Sequence, residues 1–408
     1  MNKPISPKHR RAQQTPYSKF LQSLDRYQSD TSLTHKQCHT LHQMMHLHYQ
    51  AHFSPYIPST CDDQVTSTYL QWQNDHEMSL DSLEKIRVHR VAPKEKVHID
   101  MRVNTLDDLI SIMDTHPYTS QKEYNIDLQA LHKIKGELTQ IANMVGLESL
   151  KKSILKQLLY FIQGFADDGA EGDYKHTVLT GPPGTGKTEL AKLMGTMYSK
   201  VGVLKSNTFK KVTRTDLVAG YLGQTAIKTR KVIDECMGGV LFIDEAYSLQ
   251  PDDMYAKECV DTLCEALSDH RKDLMVIIAG YQENLHETFF KINSGLSSRF
   301  VWRFNIDAYS AEELHCIFNK MVEQRTWHLD ENVKPEWFRE KKDQFIDNGR
   351  SMEQLFLLAK ISHAKRVYGQ DESLKKKLTS EDVIAGYRMY EENMKSKDNK
   401  NMLFGLYI

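Results

Sequence analysis

The sequence predicts an α/β protein whose parallel sheet is flanked by helices and followed by a small all-helical domain. Between residues 177 and 304, short β-rich segments alternate with stretches of helical period. This alternation is typical of a parallel sheet with helices on both faces. From about Ala308 to Asn393 the apolar residues recur only at helical spacing, as at Leu314, Ile317 and Met321, which indicates a separate helical unit.

Five β-rich segments define the predicted sheet, and each of the first four is followed by a helical pattern. The segments are Thr177 to Thr180, Phe209 to Thr213, Val240 to Ile243, Leu274 to Ala279 and Val301 to Phe304. Upstream of them, apolar residues at helical spacing predict helices around 106–113, 126–144 and 150–162. These helices are expected to lead into the sheet.

The bulk composition excludes several function classes. The 408 residues include 53 Lys and Arg against 54 Asp and Glu, so no charge excess points to nucleic acid or to a membrane surface. The six cysteines show no CxxC spacing, which argues against a disulfide scaffold and a zinc ribbon. The first residues, Met1 to Phe20, contain no apolar stretch of signal-peptide length, and no later run approaches the roughly 18 residues of a membrane span. We therefore expect a soluble cytoplasmic protein with no membrane partner.

A glycine-rich segment lies between the first β-rich run and a helix. It fits the pattern GxxxxGK[ST] and comprises Gly181, Pro182, Pro183, Gly184, Thr185, Gly186, Lys187 and Thr188. In this setting the pattern predicts a P-loop, in which glycines let backbone N–H groups converge on phosphate oxygens at a helix N-terminus. Lys187 would neutralise charge on the β- and γ-phosphates, and the Thr188 hydroxyl would bind magnesium.

Two carboxylates follow the apolar run Val240 to Ile243. In a P-loop protein, Asp244 would hold the magnesium ion and Glu245 would orient and deprotonate the attacking water. A strand followed by a solvated acidic turn is the alternative, but the P-loop upstream favours the catalytic interpretation. GTPases and P-loop kinases generally lack this Asp-Glu pair, so the sequence predicts an ATPase that uses ATP and magnesium.

Several motifs in one order give the region from Asn143 to Asn393 a family resemblance. Besides residues 181–188 they are Tyr221 to Ala226, Phe242 to Tyr247, Ile278 to Tyr281 and Gly295 to Phe300. The sequence resembles the AAA+ ATPases, and most closely the group that contains CbbX and stage V sporulation protein K. The resemblance implies a P-loop NTPase domain, a helical lid, and a homo-oligomeric ring, expected to be a hexamer.

The resemblance also implies roles for residues outside the P-loop. Arg299 resembles the arginine finger that reaches the γ-phosphate bound by a neighbouring subunit, although a surface or salt-bridged arginine is the alternative. Arg350 resembles the sensor 2 arginine of the lid, or is an ordinary arginine at a helix start. Val145 and Gly146 resemble the segment that packs against adenine, or they form a helix break.

A segment between the second strand and its helix resembles the pore loop of the family. It comprises Tyr221, Leu222 and Gly223, and an aromatic residue beside a flexible glycine can grip an extended polypeptide without sequence preference. A tyrosine packed in a core or an interface is the alternative. The sequence departs from the family at sensor 1, where the polar Asn or Thr common in AAA proteins is absent, and Tyr281 is the nearest candidate.

These observations divide the chain into four parts. Residues 1–135 form an N-terminal extension, expected to be partly disordered and then helical. The nucleotide-binding α/β domain spans 136–307, the helical lid spans 308–394, and the C-terminal tail spans 395–408, polar at first and apolar from Met402. In the extension, His35, His39, His42 and His46 recur at helical spacing. They would form a solvated polar or pH-sensitive helix, or a metal site.

The expected function is ATP hydrolysis by a ring that remodels an unidentified protein client or threads it through a central pore. A motor or loader acting on nucleic acid is one alternative, but the near-neutral charge argues against it. A scaffold that uses ATP only for assembly is the other. The acid at Glu245 argues against it, because a scaffold does not need a hydrolytic base.

Overall fold

The computed structural model describes residues 94–167, 172–221 and 223–405. Beyond Lys395 only the backbone is described. The described part of the N-terminal region contains strand β1 (Glu95–Val97), helix α1 (Leu106–Thr115), strand β2 (Lys122–Tyr124) and helix α2 (Leu128–Ala142). The two strands pair in parallel. Asn125 extends this pairing with its side chain, because its Oδ1 accepts from the Ile99 amide at 2.8 Å and its Nδ2 donates to the Ile99 carbonyl at 3.1 Å.

The central element is a five-stranded parallel sheet with the order β4-β5-β6-β3-β7. Its strands are β3 (Thr177–Thr180), β4 (Phe209–Val212), β5 (Val240–Ile243), β6 (Met275–Gly280) and β7 (Trp302–Asn305). Strands β5 and β6 are buried along their whole length, which explains why they are continuous apolar runs without alternation. Strand β3 lies between β6 and β7, so the segment that follows it starts at the carboxyl edge with a neighbouring strand on each side.

Helices cover both faces of this sheet. They are α3 (Glu148–Ile162), α4 (Lys187–Lys200), α5 (Arg214–Leu217), α6 (Thr225–Glu235), α7 (Met254–Asp269), α8 (Gln282–Glu287), α9 (Phe289–Ile292) and α10 (Gly295–Arg299). One hydrophobic cluster joins α1 to α4 with one face of the sheet. A second joins α6, α7 and α10 with the opposite face. The three-layer arrangement follows from strands that are apolar on both sides.

The C-terminal part has its own core. It contains helices α11 (Ala311–Gln324), α12 (Pro335–Lys341), α13 (Gly349–Val367) and α14 (Ser380–Gly405), packed around buried aromatic residues that include Phe318, Phe338 and Phe356. Ser310 begins α11 as a capping box with Glu313. A two-residue parallel pair, β8 (His328–Leu329) and β9 (Lys377–Leu378), joins two of its loops.

The predicted fold class is confirmed: a parallel sheet flanked by helices precedes a small helical domain. The sequence did not predict the pairs β1–β2 and β8–β9, because strands of two or three residues are too short to show a period. The predicted boundary at 135/136 falls inside α2, and the one at 394/395 falls inside α14.

Candidate nucleotide-binding site

The glycine-rich segment forms the turn between β3 and α4. Glycine is needed at positions 184 and 186 for different physical reasons. Gly184 and Gly186 have φ of 69° and 86°, a region that favours glycine. A Cβ on Gly184 would lie 2.0 Å from the Asp347 carbonyl oxygen, whereas a Cβ on Gly186 would have no neighbour within 4 Å. Gly184 is therefore required by protein packing, and Gly186 borders open space at the N-terminus of α4.

That open space is a cleft of about 480 Å³ between the sheet domain and the helical domain. Among the predicted site residues, it brings together Pro183, Gly184, Thr185, Gly186, Lys187, Thr188, Asp244, Glu245 and Arg350. Tyr247 and Tyr281 line it from the sheet side, and Ile317 and Met321 line it from α11. A polar end formed by a helix N-terminus and a more apolar end against α11 suit a phosphorylated ligand with a hydrophobic ring.

Lys187 is the first residue of α4. Its Nζ donates to the carbonyl oxygens of Gly181 at 2.8 Å and Pro182 at 2.6 Å. Burial lowers the pKa of Lys187, Arg350 acts in the same direction, and Asp244 opposes both. The ammonium group thus lies within the electrostatic reach of an acid on β5 and of an arginine from the helical domain.

The two carboxylates follow the last residue of β5, and the backbone turns sharply there. Asp244 donates its amide to the Val212 carbonyl at 2.9 Å, which continues the sheet for one residue. Glu245 has φ of 53°, a left-handed conformation that is uncommon outside glycine, and its amide donates to Asp244 Oδ1 at 3.1 Å. The turn presents both side chains to the cleft.

Tyr281 follows strand β6 and packs against Tyr247, with ring centroids 5.4 Å apart and ring planes tilted by 34°. Lys187 Nζ lies 6.0 Å from the Tyr281 ring centroid. Burial raises the pKa of Tyr247, and the charge of Glu245 raises it further. The end of β6 therefore carries an aromatic pair in which Tyr281 lies near Lys187 and Tyr247 interacts with Glu245.

Arg299 does not line this cleft. It ends α10, where its Nε donates to Ser268 Oγ at 2.7 Å and its Nη1 donates to the Gly295 carbonyl at 2.8 Å. The side chain is therefore held against the last turn of α7 and the first residue of its own helix.

The Val145–Gly146 segment also lies outside the residues that line the cleft. A Cβ on Gly146 would lie 1.8 Å from Glu313 Oε1, and Lys320 Nζ donates to the Asn143 carbonyl at 2.6 Å. The segment therefore packs on α11, the same helix whose Ile317 and Met321 do line the cleft.

The predicted pore-loop segment lies between α5 and α6. The Tyr221 side chain is 73% exposed, and Gly223 has φ of 75°. Leu222 lies outside the described residues. The exposure of Tyr221 excludes the alternative that it packs in the core of this chain.

Sequence reasoning missed Lys211, Tyr309 and Asn348. Lys211 forms an ion pair with Asp244 at 2.6 Å. Tyr309 Oη donates to the Thr185 carbonyl at 3.2 Å, and Asn348 Nδ2 donates to the Pro183 carbonyl at 3.2 Å. Only Lys211 left a signal in the sequence, since it lies one residue before the end of the strand that neighbours β5.

The predicted histidine cluster lies outside the described residues. Within the described part of the chain, no group of three or more His, Cys, Asp or Glu side chains could hold a metal ion by itself. A magnesium ion bound with a nucleotide needs fewer protein ligands, because phosphate oxygens and waters complete its shell. Thr188 and Asp244 line one cleft and supply the oxygen donors that magnesium prefers. None of the helices in the described ranges has the length and apolar character needed to cross a bilayer.

Comparison with known proteins gives consistent matches. The model of the family described as ATPase family associated with various cellular activities (AAA) matches residues 177–308, and that of the AAA lid domain matches 310–393. A putative CfxQ-like protein of Acanthamoeba polyphaga mimivirus is 35% identical over 304 residues, covering 72% of this chain and 74% of that protein.

Two further relatives come from other branches of life. Stage V sporulation protein K of Bacillus subtilis is 35% identical over 229 residues, covering 53% of this chain and 70% of that protein. The chloroplastic ribulose bisphosphate carboxylase/oxygenase activase of Cyanidioschyzon merolae is 30% identical over 295 residues, covering 70% of this chain and 95% of that protein. The match therefore includes sequence outside the most widespread nucleotide-binding motifs.

Proposed function

This chain belongs to the AAA family of ATPases, and on that premise we propose that it forms a ring that remodels a protein client or threads it through a central pore. The resemblance to stage V sporulation protein K is confirmed by the similarity of the two sequences. Binding and hydrolysis of ATP follow from the family. The ring, the client and the role of each residue are the parts that we propose.

In the proposed site, the backbone of residues 181–188 holds the phosphates and Lys187 neutralises part of their charge. Thr188 and Asp244 hold the magnesium ion, which supplies positive charge to the β- and γ-phosphate oxygens when it is bound. Glu245 takes the proton of the attacking water, a role worth about 10²–10⁴ in rate. The convergence of these side chains on one cleft supports the assignment.

Four further residues complete the proposed site. Arg350 reaches the nucleotide from the lid, which its position on the lining of the cleft supports. Val145 and Gly146 would support the adenine side of the cleft through their packing on α11. Tyr281 would take the place of the sensor 1 residue, because it directly follows strand β6 and its ring centroid lies 6.0 Å from Lys187 Nζ.

The ring is supported by the position of Arg299. Its guanidinium donates hydrogen bonds to the Ser268 hydroxyl and the Gly295 carbonyl, and it does not line the cleft of its own chain. An arginine finger supplied in trans stabilises transition-state charge and is worth about 10³–10⁵ in rate. We therefore assign Arg299 to the cleft of a neighbouring subunit, in a homo-oligomer that we expect to be a hexamer.

The proposal that the client is a protein rests on a single observation, the exposure of Tyr221. A large aromatic side chain that is 73% exposed beside a glycine of positive φ offers a surface for non-specific contact with a polypeptide. The relative from Cyanidioschyzon merolae is, by its name, an activase of another enzyme, which also favours a protein as the client.

The test is ATP turnover measured together with the mass of the protein in the same buffer, with and without an unfolded polypeptide. The wild type should hydrolyse ATP as a large oligomer, and the polypeptide should stimulate it. Glu245→Gln should bind ATP without turnover. Tyr221→Ala should lose the stimulation, whereas Tyr368→Ala, which alters an 88% exposed tyrosine of the lid, should keep it. A monomeric wild type with full turnover would contradict the ring, and equal stimulation in both tyrosine variants would contradict the pore loop.

A further inference from the structure

Three consecutive carbonyl groups of the P-loop are hydrogen-bonded to the helical lid. Asn348 Nδ2 donates to the Pro183 carbonyl at 3.2 Å. The amide of Gly349 donates to the Gly184 carbonyl at 3.1 Å, and Tyr309 Oη donates to the Thr185 carbonyl at 3.2 Å. The lid thus contacts the phosphate-binding backbone itself, in addition to placing Arg350 in the cleft.

Asn348 is the central residue of this contact. The residue is 4% exposed, and the two polar atoms of its side chain form hydrogen bonds to different chain segments. While Nδ2 donates to Pro183, Oδ1 accepts from the amide of Tyr309 at 3.1 Å. The two bonds need a donor and an acceptor on the same short side chain, and a carboxamide supplies both from a single carbon atom.

At Gly184 and Gly349 the packing leaves no room for a side chain between the P-loop and the lid. A Cβ on Gly184 would lie 2.0 Å from the Asp347 carbonyl oxygen, and a Cβ on Gly349 would lie 2.7 Å from the Gly184 carbonyl oxygen. Backbone therefore meets backbone at this interface. The lid cannot move relative to the sheet domain without breaking hydrogen bonds to the P-loop.

The direction of these carbonyls has a consequence for phosphate binding. In a planar trans peptide the C=O of one residue and the N–H of the next point in opposite directions. Carbonyls 183, 184 and 185 point to the lid, so the N–H groups of Gly184, Thr185 and Gly186 point away from it. These N–H groups belong to the segment that would bind phosphate oxygens, and the lid fixes their orientation.

We propose that Asn348 is a positioning residue for ATP: by bridging Pro183 and Tyr309 it orients the P-loop N–H groups and couples them to the position of the lid. This inference rests on the proposed role of residues 181–188 as the phosphate-binding loop. A change in the lid, such as the contact of a client or a neighbouring subunit, would then alter nucleotide affinity through the P-loop backbone.

The backbone of Asn348 permits a clean test. Its φ of 49° and ψ of −118° lie in a region that glycine adopts at little cost. Asn348→Gly therefore removes the carboxamide while favouring the observed backbone, so the lid should still fold. Asn319→Ala is the matched control, because Asn319 lies in α11 and its Nδ2 contacts His315 within the lid at 3.2 Å.

The measurement is the dissociation constant for MgATP in a Glu245→Gln background, in which ATP is not consumed, together with the melting temperature without nucleotide. Loss of the bridge should raise the dissociation constant about tenfold in Asn348→Gly, which corresponds to the loss of one or two hydrogen bonds. The melting temperature should fall no more than in Asn319→Ala. Asn348→Asp, which keeps the acceptor but loses the donor, should weaken binding at least as much.

An unchanged dissociation constant in Asn348→Gly would overturn the inference. So would a loss of affinity equal to that in Asn319→Ala, because it would show that lid stability alone was responsible. If the Glu245→Gln parent itself bound no MgATP, the proposed phosphate-binding site would fail first, and the result would be visible before any change at Asn348.

Discussion

Lys211 Nζ lies 2.6 Å from the carboxylate of Asp244, across the boundary between strands β4 and β5. The lysine is 47% exposed and the aspartate 21%, so water screens the pair in part. The same carboxylate is the proposed magnesium ligand. In the proposed site a lysine ammonium and a divalent cation would therefore compete for one acid, and the strength of the ion pair would affect the magnesium requirement of turnover.

Replacement of Lys211 by methionine should lower the magnesium concentration that gives half-maximal ATP turnover. A partly exposed ion pair is worth about 1 kcal/mol or less, so we expect a decrease of about two- to fivefold. The measurement is a magnesium titration of turnover at saturating ATP. Lys210→Met is the control, because it removes the same charge from the adjacent position, where the lysine pairs with Glu235 and not with Asp244. Equal shifts in both variants would indicate a general charge effect and would contradict the competition.

The position of Arg299 predicts complementation between two inactive variants. Arg299→Ala retains an intact acid at Glu245, and Glu245→Gln retains an intact finger. Neither alone should turn over ATP at a measurable rate. In a ring of the two variants mixed equally, a site is complete when an Arg299→Ala subunit precedes a Glu245→Gln subunit, so about a quarter of wild-type turnover should return. A mixture as inactive as its components would show that Arg299 does not act across subunits.

The sequence predicted the part of the site whose chemistry is local along the chain. The P-loop and the Asp244–Glu245 pair each lie within a few residues, at the end of an apolar strand that could be recognised by composition. The Asn348–Pro183 contact spans 165 residues, and an asparagine before a helix has many ordinary explanations. The partner of such a residue is set by domain packing, which a pattern of apolar residues does not specify.

Gly184→Ala should separate the lid from the P-loop. The new Cβ would lie 2.0 Å from the Asp347 carbonyl oxygen, and relief of such an overlap typically costs about 1–3 kcal/mol. Gly202→Ala is the matched control, because Gly202 has φ of 86° and a Cβ there meets nothing within 4 Å. Urea unfolding should show a larger loss of unfolding free energy for Gly184→Ala than for Gly202→Ala. Equal losses would mean that only backbone conformation matters at Gly184.

His176 predicts a specific acid sensitivity of the sheet domain. It is completely buried, its Nε2 contacts the Leu267 carbonyl at 3.1 Å, and its Nδ1 accepts from the Val276 amide at 3.1 Å. Nδ1 must therefore be unprotonated. Burial lowers the pKa of His176 to about 4, against an opposing contribution of the Leu267 carbonyl, and the charges of Lys175, Arg299 and Arg271 lower it further.

The sign of the pH effect follows from this pKa. Between about pH 6.5, the ordinary value of histidine, and pH 4, the unfolded chain binds a proton at this site and the folded chain does not. The contribution of His176 is thus fully present above pH 6.5 and is lost as the pH falls towards 4. His176→Gln keeps one donor and one acceptor but does not titrate. Between pH 7.5 and 4.5 the wild type should lose about 2–3 kcal/mol more unfolding free energy than this variant, measured by urea unfolding at each pH. Parallel losses in the two proteins would show that acid destabilisation arises from other groups.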